Sequence, residues 1–519
     1  MKLDYKKTLF VGFAFFLICA FWQAYDNIIP LILTNKFGLS QTWSGVIMAL
    51  DNILALFMLP LFGSISDRCH HKLGKRTPFI LYGTVVAVIA FVALSAVDLI
   101  QLGNIQKVAA IDDPAALTVI YESEADAELL SPDGTVFVLS EHFSEEEFSA
   151  IRSQTEKDGK AVTNPDYTAY VTPARQSYVR RVTQQQPGTF ILFIALLLVA
   201  LVSMAVFRSP AVALMPDVTI KPLRSKANAV INLMGAAGGV IVLALGIVFA
   251  TASVKNALMS YVAYFAVIGT IMLVSLLIFM LKVREPQFVR EMREESRRYG
   301  ILEDGDTEND HAKKRSLSAD EKRSLTFILI SIILWFFGYN AVTSKYSVYA
   351  SNILHKDYNL TLILAQAAAI VSYLPVGIVS SKLGRKKTIL AGIVMLTAAF
   401  TVAAFLRDDS PTLLMNLMFA LAGIGWATIN VNSFPMVVEM CSGGDIGKYT
   451  GFYYTASMAA QVATPMVSGF LMDRAGMLVL FPYAAIFVAL AFVSMLFVRH
   501  GDNRPTAKKG LEALEGMDN

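Results

Sequence analysis

Apolar residues in this chain fall in long unbroken runs rather than in alternation, and the runs recur at a steady spacing. Twelve of them can be marked, at roughly 8–34, 41–63, 78–98, 188–215, 226–252, 258–282, 325–350, 360–381, 388–406, 412–438, 449–472 and 477–498. A run of about 20 residues covers the ~30 Å of hydrocarbon in a bilayer when wound as a helix. An open strand in lipid would leave its backbone N–H and C=O groups unpaired, so helices are the expected element. The pattern predicts an all-α membrane protein of twelve transmembrane helices, six on either side of a central polar stretch.

Two polar stretches break the rhythm. Residues 99–187 separate the third and fourth runs and carry 14 Asp and Glu against 7 Lys and Arg. They contain strand-like runs, Leu117–Tyr121 and Thr135–Leu139, with the turn signal Pro132-Asp133-Gly134 between them. The capping box Ser144-Glu-Glu-Glu147 then opens a helix, so a small α+β insert is expected. Residues 283–324 mix both signs of charge, Arg293, Arg297 and Arg298 preceding Glu303 to Asp310, as in a solvated linker that starts with an interfacial helix. The chain thus divides at 1–98, 99–187, 188–282, 283–324, 325–498 and a tail 499–519.

One basic elbow is written twice. Gly63-Ser-Ile-Ser-Asp67-Arg68 is followed after five residues by Gly74-Lys75-Arg76-Thr77, and a shorter copy runs Gly377-Ile-Val-Ser-Ser381-Lys382-Leu-Gly384-Arg385-Lys386-Lys387-Thr388. Tyr25-Asp26 and Tyr339-Asn340 precede the two elbows by the same interval, which marks the six-helix halves as pseudo-repeats. Lys and Arg set the orientation. One side collects Lys2, Lys6, Lys7, Arg68, Lys72, Lys75, Arg76, Lys221, Arg224, Lys226, Lys382 and Arg385 to Lys387, while the short loops of the other offer little beyond Lys36, Lys255, Lys356, Arg407 and Arg474. Both termini and both elbows are therefore expected in the cytoplasm, and the insert outside it.

Composition agrees with a membrane class. Only 16% of residues are charged, against about 25% in soluble domains. Cys19, Cys69 and Cys441 lie far apart, match no metal spacing and leave the insert without a disulfide framework. The run Leu9 to Leu33 exceeds a signal-peptide core and reads as a retained first helix. No nucleotide loop, metal cluster or serine elbow is visible, so the chain is read as no enzyme, with no cofactor and no nucleic-acid partner.

Charges at lipid depth cost about 2.5–3.5 kcal/mol each on insertion scales, so they are expected to serve a purpose. Asp51, about ten residues into the second run, and Asp26 on the first are candidates for proton exchange. The competing reading is an acid that only hydrogen-bonds a neighbouring helix. Arg208 either pairs with them or snorkels to the interface. Candidate cavity lining comprises Trp22, Gln23, Tyr25, Asn27, Asn232, Tyr339, Asn340, Trp426, Asn430, Asn432, Tyr453, Tyr454 and Gln461. Amides suit sugar hydroxyls and aromatic faces suit a sugar's C–H face, although any single ring reads equally as belt or packing. Gating candidates are Gly63, Asp67, Arg68, Gly74, Arg76, Asp217 and Arg224, with Gly384, Arg385 and Glu439 in the second half. Asp67 and Arg68 pairing with helix-end charges such as Asp217 would hold the cytoplasmic end closed. Gly235-Ala-Ala-Gly238-Gly239 reads as a helix-packing strip.

Gly63-x-x-x-Asp67-Arg68 with Gly74-Lys75-Arg76 resembles the loop signature of the major facilitator superfamily. Ser66 to Cys69 with Gly74 to Ile80, and Pro210 to Asp217 followed by Arg224 and Ala227-Asn228-Ala229, are similar to the proton-coupled sucrose carriers and the glycoside–cation symporters. The resemblance spans nearly the whole chain outside the insert and implies the major facilitator fold, with the substrate path between the halves. There are departures. The coupling acid those carriers place in helix four falls at Leu201 or Arg208 here, and the melibiose-type acids of helix two fall at Ala55 and Leu59, one turn beyond Asp51. The second elbow has Ser381 where the first has Asp67.

The resulting expectation is a monomeric secondary active transporter of the plasma membrane, in contact with lipid. It would take up a di- or oligosaccharide by alternating access, with a proton or sodium as coupling ion. Rival readings are an exporter of amphipathic small molecules and a solute sensor that does not transport.

Overall fold

A computed structural model of the protein describes residues 3–157, 160–220, 223–299, 318–438, 440 and 446–501. Glu439 and Cys441 lie outside the described residues. The long helices are α1 (Tyr5–Asn35), α2 (Gln41–Asp67), α3 (Thr77–Asn104), α4 (Gly188–Asp217), α5 (Arg224–Val248) and α6 (Val262–Lys282). After the linker come α7 (Ala319–Tyr349), α8 (Tyr358–Leu383), α9 (Arg385–Ala403), α10 (Thr412–Val438), α11 (Ile446–Ala475) and α12 (Leu480–Leu496). Ten helices among the described residues are long and apolar enough to cross a bilayer; α8 and α11 do not reach that measure over their described residues. Ser457, Gln461, Thr464 and Ser468 along α11 lower its apolarity.

Local signals set many of the helix ends. Asp4 accepts from the Lys7 amide at 3.0 Å to start α1, Asp357 caps α8, and Ser318 with Glu321 forms a capping box on α7. Ala49 interrupts α2 by one residue, so that Asp51 falls in the first turn of the segment Leu50–Asp67.

The two halves pack by the same plan. In the first, α1 lies on α5, α3 on α4 and α6, and α2 on α4; in the second, α7 lies on α11, α9 on α10 and α12, and α8 on α10. Lipid offers no hydrophobic drive between helices, so close approach carries the association. Gly238 shows how close: a Cβ there would sit 2.6 Å from the Phe16 carbonyl oxygen. Across the halves, α2 meets α11, α5 meets α8 and α1 meets α7.

The stretch between α3 and α4 folds around its own small core, with Leu117, Ile120, Phe137, Leu139, Phe148, Tyr167 and Val171 buried together. Leu129–Leu130 pairs antiparallel with Val136–Phe137 across the turn at Pro132-Asp133-Gly134, and Gln154–Lys157 pairs with Lys160–Thr163. The capping box at Ser144 is formed. One expectation is corrected: Leu117–Tyr121 lies inside the helix Pro114–Glu124 and is no strand. Asp113 caps that helix, Pro114 starts it, and Leu117 and Ile120 bury one helical face, which together outweigh the β-forming preference of the run. The second predicted run is shorter than expected, because Leu139 already opens the turn Leu139–His142.

Candidate functional site

The three charges predicted at lipid depth, Asp26, Asp51 and Arg208, all lie in the first half. Asp26 on α1 and Asp51 on α2 both lie within electrostatic reach of Arg208 on α4, and of each other. Arg208 stays in the bundle: its guanidinium lies 5.7 Å from the centroid of the Trp22 ring. It forms no ion pair with either acid among the described residues. Asn52 donates from Nδ2 to Asp51 Oδ1 at 2.8 Å, and the Tyr25 hydroxyl donates to the Met48 carbonyl at 3.4 Å, just before α2 breaks. Trp22 and Tyr25 meet edge to face at 5.4 Å. One turn of α1 thus carries an aromatic wall beside two acids and a guanidinium.

The second half offers a different surface. Tyr339 of α7 and Trp426 of α10 stack in parallel, 3.6 Å between centroids and 2° between planes. Trp22 Nε1, Asn340 Nδ2 and Asn430 Oδ1 are buried polar atoms with no protein partner. They are among several buried polar atoms of this kind in the protein, Trp22 on α1 and the two amides in the second half, and a polar solute or water can satisfy them. Gln23 of α1 accepts from Gln366 Nε2 of α8 at 2.6 Å, joining the halves. Other predicted lining residues are used in packing. Tyr453 is fully buried with its hydroxyl 3.2 Å from Ser433 Oγ, and its ring packs on Phe434 and Tyr454. Asn432 donates to the Thr428 carbonyl and accepts from Ser380. Asn27 and Asn232 are buried in the first half.

At the elbow end Asp67, Arg76 and Asp217 bond to one another within the first half. Arg76, rather than Arg68, is the hub: it reaches Asp67, Ser66 and, from Nε at 2.8 Å, Asp217. Glu285, at the start of the amphipathic helix Glu285–Arg298, accepts from the amides of Lys75 (2.6 Å), Arg76 (3.0 Å) and Thr77 (2.8 Å) and from the Thr77 hydroxyl (2.7 Å). Gly74 (φ +116°) admits that carboxylate; a Cβ there would lie 2.3 Å from it. On the same helix Glu291 accepts from Gln287 and from Lys7 of α1, which hold its carboxyl below the usual range. Gly63 lies against Ser209, and Arg224 Nε donates to the Thr219 carbonyl at 3.2 Å. In the second elbow Gly384 takes φ +93°, Arg385 reaches the Pro435 carbonyl at 3.3 Å and Lys386 the Val498 carbonyl at 2.5 Å.

The insert end is where the halves lock. Asp473 of α11 accepts from the Gln41 and Thr42 amides, each at 2.7 Å, and from the Thr42 hydroxyl at 2.5 Å, so it caps α2 from the opposite half. Lys345 of α7, fully buried, donates to the Gln41 carbonyl at 2.6 Å. Thr251 Oγ1 and the Tyr358 hydroxyl lie 2.8 Å apart, and Asn359 donates to Thr251. Within the first half Lys36 and Asp98 form a fully buried ion pair at 2.6 Å. Sequence reasoning missed Gln366, Glu285, Lys345, Asp98 and Asp473. Lys345 and Asp98 carry a usable signal as charges inside apolar runs; the others look like ordinary helix-end or polar residues.

The general profile of the Major Facilitator Superfamily matches residues 182–372 and 355–515, more than half of the chain. The chain belongs to the major facilitator superfamily. A profile described as MFS/sugar transport protein matches residues 10–103, so the superfamily signal flanks residues 104–181 on both sides and leaves them unmatched. Sucrose transport protein SUC4 of Arabidopsis thaliana is 37% identical over 60 residues, 12% of each chain. MFS-type transporter ppzB of Metarhizium rileyi is 24% identical over 148 residues, 28% of this chain and 30% of that one. The matched stretches thus span less than a third of these relatives. Among solved structures, the inward-open xylose transporter XylE from E. coli superposes with a TM-score of 0.54 at 12% identity, covering 98% of this chain and 99% of that one. A bacterial homologue of the iron transporter ferroportin in its inward-facing state gives 0.58 at 13% identity, covering 95% and 99%. These likenesses show the superfamily fold. The chain is an integral membrane protein of a transporter superfamily, with sugar transporters among its relatives.

Proposed function

We propose that this protein takes a di- or oligosaccharide into the cell together with protons, by alternating access. In this reading all twelve long helices cross the plasma membrane, α8 and α11 included. Both termini face the cytoplasm, and the insert is a small extracytoplasmic α+β domain. The observation that carries the proposal is a polar and aromatic cluster in each half. Asp26, Asp51 and Arg208 lie beside Trp22 in one half. The Tyr339–Trp426 stack lies in the other, and Gln23 of α1 bonds Gln366 of α8 across the halves. Hydroxyls suit the amides and a pyranose C–H face suits the flat stack, while an acid near a guanidinium can change charge as a proton arrives or leaves. The sugar-transport profile and the sucrose and xylose transporters among the relatives support the solute class.

Two surfaces in separate halves can be reached alternately if the halves rock about the contacts between them. The structure has its insert end bonded across the halves by Asp473 and Lys345, the arrangement expected of a state whose outer end is closed. The test is uptake into proteoliposomes, with a disaccharide panel and an imposed inward proton gradient. Accumulation abolished by a protonophore is the expected result. Flux without accumulation would reject proton coupling, and no flux with any sugar would reject the solute class in favour of an exporter. Asp51→Asn is expected to lose gradient-driven accumulation yet keep exchange of bound sugar; accumulation that persists makes Asp51 structural.

A further inference from the structure

Residues 104–181, unmatched by the superfamily profiles, are tied to both halves at the insert end. On the first-half side, Arg180 Nε donates to the Gly38 carbonyl at 3.1 Å and Gln176 Nε2 to Asn35 Oδ1 at 3.0 Å. The fit is tight: Gly38 takes φ +64°, and a Cβ on it would lie 2.5 Å from the Gln176 oxygen. On the second-half side, the Met477 amide donates to the Pro132 carbonyl at 2.7 Å. Thr168 Oγ1 lies 2.8 Å from Nε2 of His355, the left-handed residue (φ 50°) that ends the α7 segment. Gly134 and Gly476, at φ +98° and +80°, pass so closely that a Cβ on Gly476 would lie 2.4 Å from the Gly134 nitrogen.

We propose that the insert is a strap across the outer end of the carrier, and that its release from His355 and from Gly476-Met477 is a step in opening that end. The argument is mechanical. Opening requires α2 to leave α11, and the α1–α2 turn at Gly38 moves with α2. The helix Thr172–Gln185 is fixed to that turn, and it shares one buried core with Tyr167 and Phe137. Pro132 and Thr168 flank those core residues, so they travel with the first half and must slide off Met477 and His355. Native geometry at the sealed end is thereby reinforced by a part of the chain outside the superfamily profiles.

The proposal rests on the alternating-access reading, and its test separates the two. Ser44 is fully buried on α2 within the seal. Ser44→Cys, in protein whose Cys19, Cys69 and Cys441 are replaced by Ala, is labelled with an impermeant thiol reagent at equal amounts of monodisperse protein. His355→Ala is expected to raise the labelling rate about 3- to 10-fold, the weight of one hydrogen bond; an unchanged rate overturns the strap. Joining Thr168→Cys to His355→Cys with a short reducible cross-linker is expected to stop solute flux, and reductant to restore it. Flux that survives the cross-link also overturns the strap. No labelling in any variant, without cross-linker, overturns alternating access and the strap with it.

Discussion

The two ends of the bundle use the same currency, carboxylates on helix N-termini, in opposite ways. At the elbow end Glu285 caps α3 and Arg76 joins Asp67 to Asp217, all inside the first half. At the insert end Asp473 caps α2 from the other half, and Lys345 reaches the Gln41 carbonyl from the same side. A cap within one half stabilises that half in every state. A cap across the halves stabilises only the state in which they meet. The chemistry of a helix end is thus either scaffold or latch, depending on which half supplies the acid.

Substitutions at the two ends should therefore separate. The largest effect is expected from Gly45→Val. A Cβ at Gly45 would lie 2.0 Å from the Pro465 carbonyl oxygen, and the facing Gly469 is as tight against the Gln41 carbonyl at 2.2 Å. Overpacking of this kind costs about 1–3 kcal/mol or more. Spin labels at exposed Trp43 on α2 and Phe470 on α11 should report a longer distance, and an unchanged distance would mean the seal is slack. Asp473→Ala should follow. Losing hydrogen bonds to a charged group costs about 1.5–3 kcal/mol, enough to move the same distance distribution toward the open form by roughly 10- to 100-fold in population. Asp67→Asn should do least. Its side chain is 63% exposed, and exposed ion pairs contribute about 0–1 kcal/mol. A small fall in thermal stability with no change in the label distance is expected; a wider insert end would erase the distinction between scaffold and latch.

Much of the architecture is legible because it depends on local pattern. Apolar runs locate the long helices, and the doubled elbow shows the repeat that the helix packing repeats in space. The turn at Pro132-Asp133-Gly134 and the capping box at Ser144 are equally local. Leu117–Tyr121 shows the limit: β-branched and aromatic residues suggest a strand, while the cap at Asp113 and a one-sided buried face decide for helix. At the candidate site, Asp26, Asp51 and Arg208 stand out because a charge amid apolar residues is rare. What they touch is not readable, since Trp22 and Arg208 meet from α1 and α4. Gln366 is harder still: an uncharged amide in α8 acquires meaning only when Gln23 is found 2.6 Å away. Asp473 and Glu285 act on helix ends far off in the chain, and no sequence window spans that separation.

The grip of Glu285 on α3 also says where this protein can be divided. The amides of Arg76 and Thr77 are orphan donors at the start of α3, Lys75 directly precedes them, and the acceptor of all three comes from beyond α6. A first-half fragment that stops at Lys282 would leave those amides bare and free Arg76 to shift. One that runs through Arg298 carries its own stopper. For a split version made of two co-expressed pieces, the natural seam therefore lies after the amphipathic helix, well past the last apolar residue of α6.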